Sequence, residues 1–374
     1  MAKTTIQQLG EFSQSVWLDY ISRSLIETGK LKSMIAQGLR GMTSNPTIFD
    51  KAISSSDDYD TQIAQLKKLN KSTFEIYDDL TIKDIQAAAD LFKSVYEKTN
   101  KRDGYVSLEI NPKLAYKIKE TVEEGKRLYK KVNRPNVMFK VPSTDEGFAA
   151  IEELLAEGIN INITLIFSVE QYTNTAEAYI KGIERLLQQD GDVSQVHSVA
   201  SVFVSRVDTL TDKLIEEKRA KESDTGVKVK LEQLRGKAAV ANSAMIYKKY
   251  RDIFSGEQFK LLQEKGANVQ RLLWGSTSTK NPAYSDIKYV AELIGKNTVN
   301  TIPEKTLNAF LDHGVVKEAL TDDIGKAQKI MDDLKGLGID INDVCKKLLE
   351  DGVVAFEKSF DSLLNAIEEK SKKL

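Results

Sequence analysis

The stretch Asn136-Val137-Met138-Phe139-Lys140-Val141-Pro142-Ser143-Thr144 sets one lysine inside a short apolar run, the pattern of a buried strand. Pro142 then stops ladder pairing, and Ser143 with Glu146 three residues on reads as a capping box that opens a helix. Lys140 therefore falls at the carboxyl end of a strand, just before a strand-to-helix turn. In a sheet covered by helices, ligands bind at that end. An ammonium desolvated there loses its proton more readily, and the neutral amine can attack a carbonyl carbon to form a Schiff base. The competing reading is a lysine that snorkels from an edge strand to water. The stretch taken alone leaves both open.

Composition narrows the other groups that could share such chemistry. The 374 residues include two histidines, His197 and His313, far apart in sequence, and one cysteine, Cys345. A disulfide framework, a cysteine or zinc metal site and a histidine-based triad are therefore not expected. No metal and no cofactor is called for, and proton transfer falls to carboxylates, lysine or tyrosine. Lys and Arg number 54 against 55 Asp and Glu, net −1, which gives no support for binding nucleic acid or a membrane surface. Met1–Gly10 lacks an apolar signal core, and no run is long enough to span a bilayer. The expected location is the cytoplasm.

The elements that must position Lys140 follow in order. A leading helix is expected over Thr4–Ser15. Strands are expected at Val16–Tyr20, Gly38–Met42, Tyr105–Ile110, the Lys140 stretch, Ile161–Phe167, Val199–Val204, Arg271–Ser276 and Thr298–Ile302. Asp57–Asn100 reads as two helices. Thr209–Asn268 reads as two more, broken at Asp224-Thr225-Gly226. Ser168 with Gln171 forms a capping box. A helix through Val290, Leu293 and Ile294 ends at Gly295, and Thr321–Leu374 is read as helix throughout, with a long amphipathic stripe at Val344, Leu348, Val353, Phe356, Leu363 and Ile367. Strands alternating with helices predict a parallel sheet, and eight such units predict a single (β/α)8 TIM barrel. That α/β domain covers residues 1–374, with barrel strands over about 16–302, helical insertions at 57–100 and 209–268, and C-terminal helices over about 304–374. Neither dinucleotide-binding nor P-loop glycine motifs occur, which weakens an open nucleotide-binding sheet.

Closing the barrel brings the carboxyl ends of the strands together. Asp19, Thr43, Asn45, Glu109, Lys140, Asn162, Thr164, Ser201, Arg206, Ser278 and Lys280 then face one mouth. Each alone reads as a turn residue or a strand former. Together they surround one lysine with carboxylates, hydroxyls and amides, with cations on the late loops, where such barrels often hold phosphate. The combination suits carbonyl chemistry on a phosphosugar.

At this point the segments Gly41–Thr47, Val106–Glu109, Met138–Pro142, Ile161–Ser168 and Ser201–Arg206 resemble transaldolase, in register from Trp17 to about Leu311. The length, together with Trp274–Thr277 and Thr279–Pro282, is similar to the longer bacterial branch. The chain is too short for the form fused to a sugar isomerase. The resemblance implies a metal-free class I barrel that passes a dihydroxyacetone unit between sugar phosphates in the pentose phosphate pathway. The donor would be sedoheptulose 7-phosphate and the acceptor glyceraldehyde 3-phosphate, giving erythrose 4-phosphate and fructose 6-phosphate. It assigns Lys140 to the Schiff base, Asp19 to the C4 hydroxyl proton, and Glu109 and Thr164 to a water used in carbinolamine dehydration. Thr43 would join the substrate contacts, Asn45 and Asn162 would orient donor hydroxyls, and Ser201 would meet the dihydroxyacetone end. Arg206, Ser278 and Lys280 would hold phosphate.

In the better-known branch arginine stands where this chain has Lys280, so the bidentate fork is lost there. Related fructose 6-phosphate aldolases carry tyrosine at Phe203 and release free dihydroxyacetone; a phenylalanine cannot activate water, which favours transfer. The two carboxyls, with different tasks, are expected to differ in environment and pKa. An aldolase of that kind and a non-catalytic sugar-phosphate binder are the alternatives. The C-terminal helices could serve as an interaction module or pack over the barrel, and the oligomeric state stays open, a homodimer being one option.

Overall fold

Eight short strands, each with one face turned to a common axis, carry the architecture. In the computed structural model, which describes residues 3–374 and so leaves Met1 and Ala2 of the leading segment outside the described residues, they are β1 Ser15–Asp19, β2 Gly41–Thr43, β3 Tyr105–Glu109, β4 Val137–Pro142, β5 Ile161–Ile166, β6 Ser198–Phe203, β7 Arg271–Gly275 and β8 Val299–Ile302. They close in chain order into one parallel barrel. β1 pairs with both β2 and β8, so no ladder edge is left open. This is the (β/α)8 barrel expected from the alternation of strands and helices.

The two-residue period of a strand explains how the interior is divided. Near the amino ends, Trp17, Tyr105, Met138, Val199, Leu273 and Val299, joined by Tyr96, form an apolar cluster separate from the main core. Residues from so many strands can meet only on the axis. Gly41 makes room for this plug, since a Cβ there would sit 2.6 Å from the Trp17 indole. Two residues further along the same faces stand Asp19, Thr43, Ser107, Lys140, Ser201 and Thr301. The period that packs the floor with hydrophobes therefore turns polar groups inward at the carboxyl end. The opposite faces, Val16, Leu18, Met42, Val106, Leu108, Phe139, Val141 and Ile163 among them, join the outer core beneath the helices.

Local chemistry places several boundaries differently from the sequence reading. The second strand is Gly41–Thr43, because Gly38 at φ +120° and the Leu39 N–H bond to Met34 O close the preceding helix. The leading segment is a helix only over Thr5–Gln8, followed by a 3₁₀ turn at Leu9–Phe12. Pro142 stays in β4, paired in register with Thr164, because the next ladder bond uses the Ser143 N–H to Thr164 O at 2.9 Å. The box expected from Ser143 and Glu146 is absent. Thr144 caps the helix Asp145–Ala156 through Gly147 N–H, and Ser143 Oγ donates to Leu165 O instead. The Ser168–Gln171 box forms as expected.

The stretch after β6 is four helices rather than two: Ser205–Lys221, Thr225–Leu234, Ala238–Phe254 and Glu257–Glu264. The break before Thr225 is the expected one. Gly236 at φ +65° and the turn at Ser255-Gly256 supply the others. The helix expected to end at Gly295 spans only Lys288–Ala291. The two helices expected over 57–100 are present as Asp60–Lys68 and Thr73–Lys98.

Two C-terminal helices, Gly325–Gly336 and Ile341–Lys373, end the chain. The second buries Val344, Cys345, Leu348, Gly352, Phe356, Phe360, Leu363 and Ile367, a stripe three and four residues apart that must face protein. It packs along the helix Pro46–Ser54 and reaches β5.

The segment after β7 is tied to the helix after β6. Tyr289 donates its hydroxyl to Asp208 and Tyr284 donates to Asp212, each at 2.7 Å, while Asp208 also accepts from Ala239 N–H at 2.7 Å. Burial pushes the Asp208 carboxyl up to about 6 despite these donors. A carboxyl raised on folding contributes stability that is full below its ordinary pKa and is lost as pH rises through the raised value. Asp208→Asn is therefore expected to gain on the unaltered chain, by up to about 3 kcal/mol between about pH 4 and about pH 7. Urea unfolding at the two pH values measures this, and an unchanged difference would show that Asp208 titrates as an exposed carboxyl does.

Candidate active site

Register across three neighbouring strands assembles the centre. Glu109 of β3 stands beside Lys140 of β4, and Lys140 beside Asn162 of β5. Lys140 Nζ lies 2.7 Å from Glu109 Oε2, with the two side chains only 6% and 5% exposed. It also donates to Ser44 O at 3.1 Å. Glu109 Oε2 has no aligned hydrogen-bond partner, so the contact is an ion pair and the carboxylate keeps free lone pairs. Lys140 does not snorkel to water; it is enclosed at the carboxyl end of the barrel.

Burial pushes the Glu109 carboxyl up, and the Lys140 ammonium opposes the shift. Burial also pushes up Asp19, against the Thr43 hydrogen bond and the charges of Lys140 and Lys280. Both carboxyls thus hold protons more tightly than exposed ones. They differ in their partners. Glu109 is sealed against the amine, whereas Asp19 is half-buried and accepts from Thr43 Oγ1 at 2.8 Å. Thr43 and Thr301 hydroxyls are 2.6 Å apart. Because Thr43 spends its one proton on Asp19, Thr301 must be the donor to Thr43.

A cavity of about 250 Å³ opens above these groups. Asp19, Thr43, Asn45, Lys140, Thr164 and Ser201 line its inner part, and Phe203, Arg206, Ser278 and Lys280 its outer part. Of the residues singled out in the sequence, Glu109 and Asn162 alone lie behind the wall. Glu109 reaches the cavity through Lys140. Asn162 accepts from Ser201 Oγ at 2.6 Å and donates to Ser107 Oγ at 3.0 Å, so it holds Ser201 in place. Asn45 accepts from Ile48 N–H as a helix cap, which leaves its amide donors for the cavity.

Thr164 Oγ1 is buried with no partner. A buried hydroxyl without a partner is costly, and this one lines the cavity where a bound group could satisfy it. The next residue, Leu165, has φ +62°, and the β5–β6 register shifts between Ile163 and Ile166. A bulge at a barrel rim re-aims side chains. A leucine in that conformation costs about 1–3 kcal/mol, offset here by complete burial.

The outer part is cationic. Among the described residues no carboxylate pairs with Arg206, and burial holds its guanidinium below the usual range. Lys280 donates to Ser278 Oγ at 2.7 Å. Burial, then Arg206 and Lys51, push the Lys280 ammonium down. Arg206, Lys280 and Lys51 together place three cationic side chains on one cavity, an arrangement that selects for an anion.

Lys51 was not singled out in the sequence. The signal was there: Thr47, Ile48 and Lys51 share one face of the helix that Asn45 caps, and all three line the cavity. Thr301 and Phe356 also line it. Thr301 sits two residues after Val299 on the inward face of β8, but nothing local marks Phe356, which arrives from the C-terminal helix. A larger cavity, about 380 Å³, lies at the amino end of the barrel beside His197, Arg102 and Arg271. There Arg271 is engaged by Asp103 at 2.7 Å and by Ser15, the self-satisfied arrangement of a structural end.

The family model described as Transaldolase/Fructose-6-phosphate aldolase matches residues 16–367. The chain is similar to a protein named Transaldolase from Trichodesmium erythraeum, 47% identical over 377 residues, covering all of this chain and 99% of that one. It is similar to Transaldolase 2 of a Nostoc species, 44% identical over 378 residues with the same coverage. It is also similar to Transaldolase of Saccharopolyspora erythraea, 43% identical over 368 residues, covering 98% of this chain and 97% of that one.

The Thr43 hydroxyl holds Asp19 down against burial. Thr43→Val removes the donor and is expected to raise the Asp19 pKa further, since the hydrogen bond favours the ionised carboxylate. Carbon-13 NMR titration of the aspartate carboxyls reads it; an unmoved Asp19 titration would mean the bond is not made in solution.

Proposed function

The chain belongs to the transaldolase/fructose-6-phosphate aldolase family and is a transferase with transaldolase activity, and we propose that its own residues carry the reaction as follows. The carrying observation is an amine sealed at the carboxyl end of the barrel, 2.7 Å from a carboxylate, facing a cavity whose far side is cationic. Lys140 adds through Nζ to C2 of a ketose phosphate. Glu109, which burial makes a ready proton carrier, takes the ammonium proton; after the amine adds, a second proton passes from nitrogen to the C2 oxygen, and Glu109 returns its own to that oxygen as water leaves the carbinolamine to give the iminium. The Thr164 hydroxyl positions that water. Asp19 removes the C4 hydroxyl proton, the C3–C4 bond breaks, and its electron pair moves into the iminium to leave an enamine. The first aldose phosphate departs, a second binds, and the steps reverse, a ping-pong order.

Asn45 and Ser201 face the hydroxyls of the sugar, with Thr43 steadying Asp19 and Asn162 steadying Ser201. Arg206, Ser278 and Lys280 take the phosphate. Lys51 adds a third cation, which offsets the missing fork at Lys280. The substrates on this reading are sedoheptulose 7-phosphate with glyceraldehyde 3-phosphate, and erythrose 4-phosphate with fructose 6-phosphate in the reverse direction. Phe203, lacking a hydroxyl, supports transfer over the release catalysed by a simple aldolase.

The barrel and the C-terminal helices act as one domain, 1–374, in this proposal. No described helix is long and apolar enough to cross a membrane, and a cytoplasmic location belongs to the same reading. Exposed Ile118 and Tyr129, on one face of a helix preceded by exposed Tyr116, support a homodimer.

Mixing the protein with fructose 6-phosphate and borohydride is expected to leave a dihydroxyacetone-sized adduct on Lys140, located by peptide mass. An adduct on another lysine, or none in folded protein, would overturn the assignment. Lys140→Met is expected to abolish turnover with the fold intact. Lys51→Met is expected to raise KM for the phosphorylated substrates about tenfold with kcat nearly kept, the pattern of lost uniform binding; an unchanged KM would remove Lys51 from the phosphate site.

A further inference from the structure

Once the C3–C4 bond has broken, the three-carbon unit waits on Lys140 as an enamine, and two fates compete. In one, C3 attacks an acceptor aldehyde and a new carbon–carbon bond forms. In the other, C3 takes a proton to give the iminium and water adds at C2. One proton of that water then passes to nitrogen, the other returns to the acid that protonated C3, and the C2–N bond breaks. The products are free dihydroxyacetone and the free amine of Lys140, with nothing oxidised or reduced. Both fates end with water at C2, because the transferred ketose also leaves by hydrolysis of its imine; the release fate alone begins with a proton arriving at C3. A transferase therefore needs bulk water kept from the enamine while the acceptor is awaited.

The structure supplies one large apolar group there from outside the barrel. The Phe356 ring centroid lies 5.7 Å from Lys140 Nζ, and the ring lines the cavity while being 5% exposed. It stands edge-to-face on Phe203, which in turn stands edge-to-face on Phe167. Phe356 is held between two anchors on its own helix. One turn before it, Gly352 lies so close to β5 that a Cβ would meet Leu165 Cδ2 at 3.0 Å. One turn after it, Ser359 accepts from Thr47 Oγ1 at 2.8 Å, on the helix that also presents Lys51.

We propose that Phe356 is a specificity-determining residue that shields the enamine on Lys140 from bulk water, so that C3 meets an acceptor aldehyde before it takes a proton and the lysine-bound unit is transferred rather than released. Its ring face also sits where the iminium charge forms, a favourable cation–π placement. This inference rests on the Schiff-base reading of Lys140 and adds to Phe203 a second aromatic wall, contributed by the C-terminal helix.

The test is a ratio, which cancels the amount of folded enzyme. Free dihydroxyacetone formed from fructose 6-phosphate is measured against sedoheptulose 7-phosphate formed when erythrose 4-phosphate is added. Phe356→Ala is expected to raise release over transfer by about tenfold, the scale on which one apolar contact discriminates, while borohydride still traps the adduct on Lys140. Phe356→Leu, which keeps apolar bulk and protects the fold, is expected to raise the ratio by a smaller, measurable amount. Unchanged ratios with the adduct still trapped would overturn the role of Phe356 alone. Absence of any adduct in the unaltered enzyme would overturn the Schiff-base reading, and this inference with it.

Discussion

The structure depends on holding an ammonium and a carboxylate together where neither can reach water. Taking each charge out of water costs several kcal/mol, and their attraction repays this only when geometry is good and other polar groups are satisfied. Lys140 and Glu109 gain the geometry because they are register partners on adjacent parallel strands, and Ser44 O accepts a further ammonium hydrogen bond, while Glu109 Oε2 keeps no aligned partner. A closed barrel is well suited to this. It fixes the strand spacing, leaves no edge for solvent, and is plugged from below by Trp17, Tyr105, Met138 and their neighbours. The helices outside complete the enclosure of the pair.

Along the cavity the environment changes from dry to charged, and the two ends suit different parts of one ligand. The inner end offers Lys140, Asp19 and an unsatisfied Thr164 hydroxyl. The outer end offers the cations Arg206, Lys280 and Lys51. Lys280 presents charge without a guanidinium's bidentate fork, and Lys51 adds positive potential to the same cavity from another element. The aromatic groups Phe203 and Phe356 stand between the ends and the solvent. One comes from the rim of β6 and the other from a helix that begins well after the barrel is complete.

Much of this could be read before folding was considered. Short apolar runs ending in Asn-Pro or Pro marked the strands, and their carboxyl ends placed Asp19, Lys140, Thr164 and Ser201 at one mouth. The misread boundaries share a cause. At Gly38, Ser143 and Gly236 the local signal was real, but the chain resolved it through a neighbour: Leu39 N–H returning to Met34, Ser143 turning to Leu165 O, Gly236 N–H donating to Asp212. Turn and cap chemistry identifies residues that can end an element, while the competing partners that choose among them come from elsewhere in the chain.

What the sequence by itself determined was the barrel, its strand order and the set of groups at its mouth, because strand period and strand-end polarity are local properties that survive without knowledge of contacts. What only the tertiary structure decided was distance and enclosure. Closure of β1 onto β8 brings Thr301 to Thr43 and so orients Asp19. The β5 bulge aims Thr164 and leaves its hydroxyl free. The return of the C-terminal helix sets Phe356 over Lys140. Each is a contact between segments remote in the chain, and a one-dimensional pattern records which face a residue occupies but not what will be packed against it.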